Sequence, residues 1–316
     1  MTDLLTRGQL DLLAQTLGVT AADLGTLDRF DADEIRALRE RISDLLFDAH
    51  AETFARVSRL APIIPNALAA NVALRAVPAE AAGRAGGAIG MDHPDRAAGL
   101  LAALTPAYMA DAAPFLDPRA IAVLAPRIPA EVLVPAAEEL LRRREYGTAA
   151  SFLDYATDDL VRGFERGITD DAGLLRTAAL SPSSERLDRV VRLLPMARRV
   201  RIARVAATGD DALVLAALSV LSRLDSDLAN QLGEELFGQS DAVTGSIIAI
   251  AHRAGAHREL LTCLAALSDS TLSGLARHPA LRDLETIEAL SRATGDDRAR
   301  MTVNIIAVHR DEPRTD

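Results

Sequence analysis

Apolar positions along residues 92–141 fall in short blocks of nearly constant length, each closed by a proline. Pro94, Pro106, Pro118 and Pro129 stand 12, 12 and 11 residues apart. At roughly 3.6 residues per turn, each block holds about two to two and a half helical turns and a short link. Thr105-Pro106 and Asp117-Pro118 pair a side chain suited to N-capping with a ring suited to the first helical position, so each predicts a helix start. Pro114 and Pro126 lie eight residues beyond Pro106 and Pro118. A ring there removes a backbone hydrogen bond and clashes with the preceding turn, so each helix is predicted to end or kink. Helices this short nucleate poorly alone. Their Leu100, Leu104, Met109, Phe115, Ile121 and Leu124 need burial against neighbours, and stacking of successive units provides it.

On either side of this block the pattern changes. Residues 4–17 read as a short helix, and a stronger one begins at Asp31, which forms a capping box with Glu34. Ile35, Leu38, Ile42, Leu45 and Ala49 share one face, with Val57 and Leu60 following before Pro62. This helix is predicted to run to about residue 60 and to pack on the chain's own core, with a dimer seam as the alternative. The glycine-rich stretch Gly83–Gly90 has neither a preceding strand nor the spacing of a phosphate-binding loop. It reads as a hinge or a close helix contact. After Tyr146-Gly147 the units lengthen, with further starts at Ser181-Pro182 and Pro195. Gly209, Gly255 and Gly295 are 46 and 40 residues apart, the period of two-helix HEAT-type repeats.

The expected fold is therefore all-α, a right-handed superhelical α-solenoid of short helices. Its expected parts are a helical cap over 1–90, short-helix repeats over 91–205, HEAT-like repeats over 206–310 and a disordered tail over 311–316. Within residues 92–205, the run Leu100-Leu101-Ala102-Ala103-Leu104-Thr105-Pro106, followed by Asp111, Phe115-Leu116-Asp117-Pro118 and Ile128-Pro129, resembles the N-terminal superhelical repeat of MgtE-type magnesium channels. The middle region of the flagellar switch protein FliG is similar in construction. In the channel family this domain regulates from the cytoplasm and precedes CBS domains and a transmembrane bundle. Neither follows in this sequence, so the resemblance implies a shape that docks onto a partner, and not transport.

Composition narrows the function further. Of the 316 residues, 49% are hydrophobic but only 3% aromatic, so the core rests on Ala and Leu packing between helices. All 35 basic residues are arginine, a usage that reads as codon bias first. A formal charge of −10 and a pI near 5.2 argue against general binding of nucleic acid. Met1–Leu5 has no signal-peptide pattern, and no stretch is long and apolar enough to span a bilayer, so a cytoplasmic protein is expected. One cysteine, Cys263, excludes an internal disulfide and a cysteine metal cage.

Candidate chemistry is sparse. His252 and His257 are five residues apart and on a continuous helix would not share a face; the other histidines are His50, His93, His278 and His309. Cys263 reads as a small core residue. The pairs Asp158-Asp159, Asp170-Asp171, Asp210-Asp211 and Asp296-Asp297 precede helical segments, which favours capping over catalysis or metal binding. Arg142-Arg143-Arg144 ends an apolar helix. A denser group from Arg186 to Arg204 alternates with Leu187, Val190, Val191, Leu194 and Val200, giving helices with a cationic side that reads first as a solvated face balanced by neighbouring acids and otherwise as a surface for an anionic partner. From it Arg189, Arg192, Arg198, Arg199 and Arg201 are the candidate partner-binding residues. The expectation is a non-enzymatic scaffold or regulatory adaptor for a protein partner, with no cofactor or metal. A carrier of an apolar small molecule or lipid is the first alternative, and an enzyme with an unfamiliar site the second.

Overall fold

In the computed structural model, residues 3–27, 29–49 and 51–310 are described, and every regular element among them is a helix. His50 and the tail expected at 311–316 lie outside the described residues. The chain divides into two compact units, Gln9–Pro182 and the described parts of Met1–Gly8 with Ser183–Asp316. The boundary expected at residue 90 falls inside a helix, and so does the one expected at 205.

The first half runs α1 (Leu4–Leu17), α2 (Ala32–Asp48), α3 (Ala51–Leu60), α4 (Asn66–Ala76), α5 (Ala79–Asp92) and α6 (Pro94–Leu101). It continues through α7 (Pro106–Ala112), α8 (Pro118–Leu124), α9 (Ala130–Arg142), α10 (Tyr146–Leu153), α11 (Asp158–Gly167) and α12 (Asp171–Leu180). Pro94, Pro106 and Pro118 each open a helix, where the missing N–H is no loss. Thr105 and Asp117 cap α7 and α8 by accepting from Tyr108 N and Arg119 N. Past Pro114 and Pro126 the backbone tightens into 3₁₀ turns, Ala113–Phe115 and Ala125–Arg127, and each helix stops. Within this unit several helices pack on the one two places before them, α5 on α3, α7 on α5, α9 on α7, α11 on α9 and α12 on α10, whereas α6 and α8 pack mainly on α5 and α10 mainly on α9. Ile89, Ala97, Ala120, Leu124 and Ile128 form one core between such layers, and Leu10, Leu13 and Ile35 another.

The glycine-rich stretch is not a hinge but the middle of α5. Gly83, Gly87 and Gly90 are buried along one side of that helix. A Cβ at Gly83 would strike the Ala112 carbonyl and the Phe115 side chain, and one at Gly90 would lie 2.8 Å from Leu124 Cδ1. These glycines let α5 approach α7 and α8 closely.

The single helix expected from 31 to 60 is two, α2 and α3. Asp31 and Glu34 form the expected capping box, yet of α2 only Ala32 and Ile35 are buried. A continuous apolar spacing marks a shared face, but it does not supply a neighbour to cover that face.

The second unit holds α13 (Ser184–Leu193), α14 (Met196–Ala207), α15 (Asp211–Leu221), α16 (Ser226–Phe237) and α17 (Asp241–Ala254). It goes on through α18 (His257–Ala266), α19 (Asp269–Ala276), α20 (Pro279–Arg282), α21 (Leu284–Arg292) and α22 (Asp297–Arg310). Leu4 N donates to Glu259 Oε1 at 2.6 Å and Arg7 Nη1 to the Ala254 carbonyl at 2.8 Å, both inside this unit. Three helices lie between Gly209 and Gly255, and four between Gly255 and Gly295, so the expected two-helix repeat does not hold. One further break carries a glycine, Gly238 at the end of α16, and those that carry none include three at polar residues, Asp225, Ser268 and Asp283, that each precede a new helix.

Candidate functional site

Titratable side chains gather in three places. The first is a cleft of about 190 Å³ in the first unit, lined by Phe47, Asp48, Phe54, Arg84, Asp117 and Arg119. Asp117 stands at the start of α8 because its carboxylate caps that helix, and the same carboxylate takes Arg119 Nε at 3.0 Å and Nη2 at 2.8 Å. Arg119 Nη2 also reaches Asp48 Oδ1 on α2 at 2.9 Å. Bonds to Asp117 and then to Asp48 raise the guanidinium pKa. Arg84 pairs with Glu80 at 3.0 Å, and Ser58 Oγ donates to Asp92 Oδ2 at 2.7 Å. These charges satisfy one another. The cleft is a clamp between α2 and α8, with Asp48 and Asp117 committed to Arg119 and Asp92 accepting from Ser58, an arrangement of paired charges.

The second place is in the other unit. Gly255 ends α17 in the left-handed conformation, φ 68°, and α18 starts two residues later. That reversal brings His257 Nε2 to 3.2 Å from His252 Nδ1, with the rings edge to face. The two histidines therefore meet, contrary to the expectation from their spacing, which applied to a continuous helix. His252 Nε2 lies 3.7 Å from Glu285 Oε1. Burial, then the neighbouring His252 and Arg292, lower the His257 pKa. The pair is suited to sharing one proton. Among the described residues, no group of three or more His, Cys, Asp or Glu is placed to hold a metal ion.

The third place is the arginine group of α13 and α14, where Arg192 has the neighbouring acids that a charge-balanced face implies. Arg198 is buried, 4% exposed. Arg192 is held by Asp188 at 2.6 Å, Asp227 at 2.8 Å and Asp225 at 3.0 Å. Those bonds, led by the one to Asp227, raise its pKa and draw the Asp227 carboxyl down to about 2. Arg199 is half-buried, and its Nε finds no hydrogen-bond acceptor among the described residues. Arg189 and Arg201 are exposed, each engaged by another group. Helical periodicity sets arginine opposite leucine, but the acids supplied from outside the segment, Asp225 and Asp227, are invisible to it.

The remaining candidates are structural. Asp170 and Asp210 cap α12 and α15 through Gly173 N and Leu213 N, both at 2.8 Å. Asp296 accepts from Ala299 N at 2.8 Å, and Asp158 and Asp159 fill the first turn of α11, which Thr157 caps. His278 caps α20, and its Nε2 sits 2.9 Å from the Asp241 carbonyl. Arg142 and Arg143 both hold Glu139, drawing its carboxyl down to about 2. Cys263 is buried, which raises its thiol pKa.

A feature the motif search passes over is the apolar surface of α2, α3 and α4. Leu38, Leu45, Val57, Leu60, Ile63, Leu68 and Val72 are all exposed, Leu45 at 65% and Ile63 at 76%. The signal was in the sequence as a run of charge: residues 53–79 contain Arg56, Arg59 and Arg75 and no acid. No family model matches this chain, and no curated protein or solved structure matches it either.

Proposed function

We propose that the chain is a non-enzymatic α-solenoid scaffold that receives a helix of a protein partner on the outer stripe of α2. The packing of α5, α7, α9, α11 and α12 each on the helix two places before it suits a solenoid, whose neighbours supply the core that a single unit lacks. The observation that carries the docking reading is the split fate of one apolar stripe. Ile35 is 1% exposed and Ile42 packs against the same core, whereas Leu38 and Leu45, which alternate with them along that face, are 41% and 65% exposed. Charges of both signs, Glu40, Arg41, Asp44 and Asp48, lie beside it. Apolar residues at this spacing among mixed charges are the recognition pattern of helix against helix. A carrier of an apolar molecule is less well supported, since the cleft of about 190 Å³ in the first unit sets Phe47, Phe54 and Met91 beside the charged Asp48, Arg84, Asp92, Asp117 and Arg119.

Burying the area that the two leucines still expose would contribute about 1.5–3 kcal/mol, so Leu38→Glu with Leu45→Glu is expected to weaken docking at least about tenfold. Native mass spectrometry of the chain purified from its own host is the test. A protein subunit is expected in the spectrum, cross-linked to α2 and lost from the double variant. Recovery of the chain alone, of two copies of it, or of a partner that the variant retains would overturn the reading.

A further inference from the structure

We propose that the outer surface of α3, the turn at Ala61–Ile63 and α4 is a seat for an anionic lipid bilayer. This goes beyond the α2 reading and stands independently of it. The helix α3 turns Ser58 inward, where it meets Asp92, and leaves Arg56, Val57, Arg59 and Leu60 outside. On α4, Ala70 is buried, while Leu68, Val72 and Arg75, at spacings of four and three, are exposed. Between the helices Ile63, the most exposed large apolar side chain described, stands at the corner, with Ile64 beside it. The chain thus presents aliphatic side chains outward without interruption from Val57 to Val72.

Charge distinguishes this surface from that of α2. Residues 53–79 hold three arginines and no acid, inside a chain of net charge −10. Arg56, Arg59 and Arg75 are exposed and make no ion pair among the described residues. A fourth arginine approaches the corner, Arg96 Nε donating to the Ala61 carbonyl at 3.0 Å. Of the flanking acids, Glu52 stands exposed in the first turn of α3, Glu80 is taken by Arg84, and Asp95 lies 3.4 Å from Arg127. A second copy of the surface would bring arginine to arginine, which disfavours self-pairing. Aliphatic side chains protruding at a helix corner, interleaved with arginine alone, match the interfacial layer of a bilayer: the aliphatics enter the headgroup boundary and the guanidinium groups meet lipid phosphates.

Sedimentation of the full chain with vesicles tests this, using equimolar phosphatidylglycerol and phosphatidylcholine against phosphatidylcholine alone. Binding is expected to the anionic vesicles and to fall as salt rises from 0.1 to 0.5 M, since the Debye length shrinks well below 10 Å. At about 1 kcal/mol per cation near such a surface, Arg56→Gln, Arg59→Gln and Arg75→Gln together are expected to reduce binding about a hundredfold. Ile63→Glu with Leu68→Glu is expected to abolish it, while Arg189→Gln leaves it unchanged. All these positions are exposed, and circular dichroism checks that each variant keeps its helix content. Equal binding to both vesicle types, binding indifferent to the triple variant, or no vesicle binding at all would overturn the proposal. The last outcome would assign the surface to an acidic protein partner. Loss of vesicle binding with the α2 partner retained, or the reverse, separates this proposal from the docking reading.

Discussion

A Cβ placed on Gly87 would lie 2.9 Å from the Cβ of Asp117, the residue that caps α8 and holds Arg119. The approach of α5 to α8 is therefore set by the absence of a side chain at Gly87. Its neighbour Gly86 offers an internal comparison, because a Cβ there meets only Leu116 Cδ1 at 3.8 Å, an ordinary contact. Gly86→Ala is expected to stabilise the first unit by up to about 1 kcal/mol through helix propensity. Gly87→Ala gains the same propensity but overpacks the contact, and is expected to destabilise by about 1–3 kcal/mol. Urea denaturation of both variants checks this. A stabilising Gly87→Ala would show that α5 and α8 are less closely packed than described.

The acidic pairs before helices make a second prediction, because the two members of a pair differ in what they do. Asp210 accepts from Leu213 N at 2.8 Å and caps α15, whereas Asp211 pairs with Arg253 at 2.9 Å with both side chains exposed. Asp210→Ala is expected to cost about 1 kcal/mol and Asp211→Ala less than about 0.5 kcal/mol. Comparable losses at the two positions, read from thermal melts, would point to a role for the pair other than capping.

How much of this was legible beforehand depended on whether the cause was local. Helix starts at Pro106 and Pro118 are fixed by a ring and its preceding cap, and the one at Pro94 by the ring alone, so sequence alone found them, as it found α1 over 4–17. The ends at Pro114 and Pro126 were legible for the same reason. What failed needed a partner from elsewhere. The stripe from Ile35 to Leu45 looked like core because spacing reveals a face and not its cover. Arg192 could be read as a partner-binding candidate because two of the acids that hold it, Asp225 and Asp227, stand a helix away in sequence. His252 and His257 looked separated because the left-handed Gly255 was not weighed as a reversal of the chain.

Cys263 gives a direct measure of the second unit's integrity. It is 1% exposed on α18 and packed near the Leu218 carbonyl, with its thiol pKa raised by burial. A thiolate is the reactive form, so the native protein is expected to react with Ellman's reagent at pH 8 at least a hundredfold more slowly than the chain in 6 M guanidinium chloride. A fast native reaction would mean that α18 opens readily.

The histidine pair sets a pH dependence whose sign follows from its surroundings. His257 is buried and its pKa is lowered from the ordinary 6.5 by burial, then by His252 and Arg292. The unfolded chain therefore takes up a proton at this position before the folded one does. The contribution to stability is complete above about pH 6.5, the unfolded value, and is lost as pH falls through the lower folded value. The melting temperature of the second unit is expected to fall between pH 7.5 and pH 5. His257→Gln retains a hydrogen-bonding side chain but cannot titrate, so its melting temperature is expected to fall less over the same range. His252 stands toward Glu285 at 3.7 Å, and His252→Gln removes the neighbour that competes for the proton; the His257 imidazole signal in an NMR titration is then expected to shift its midpoint upward. An unchanged midpoint in that variant would show that the two rings titrate independently despite their 3.2 Å contact.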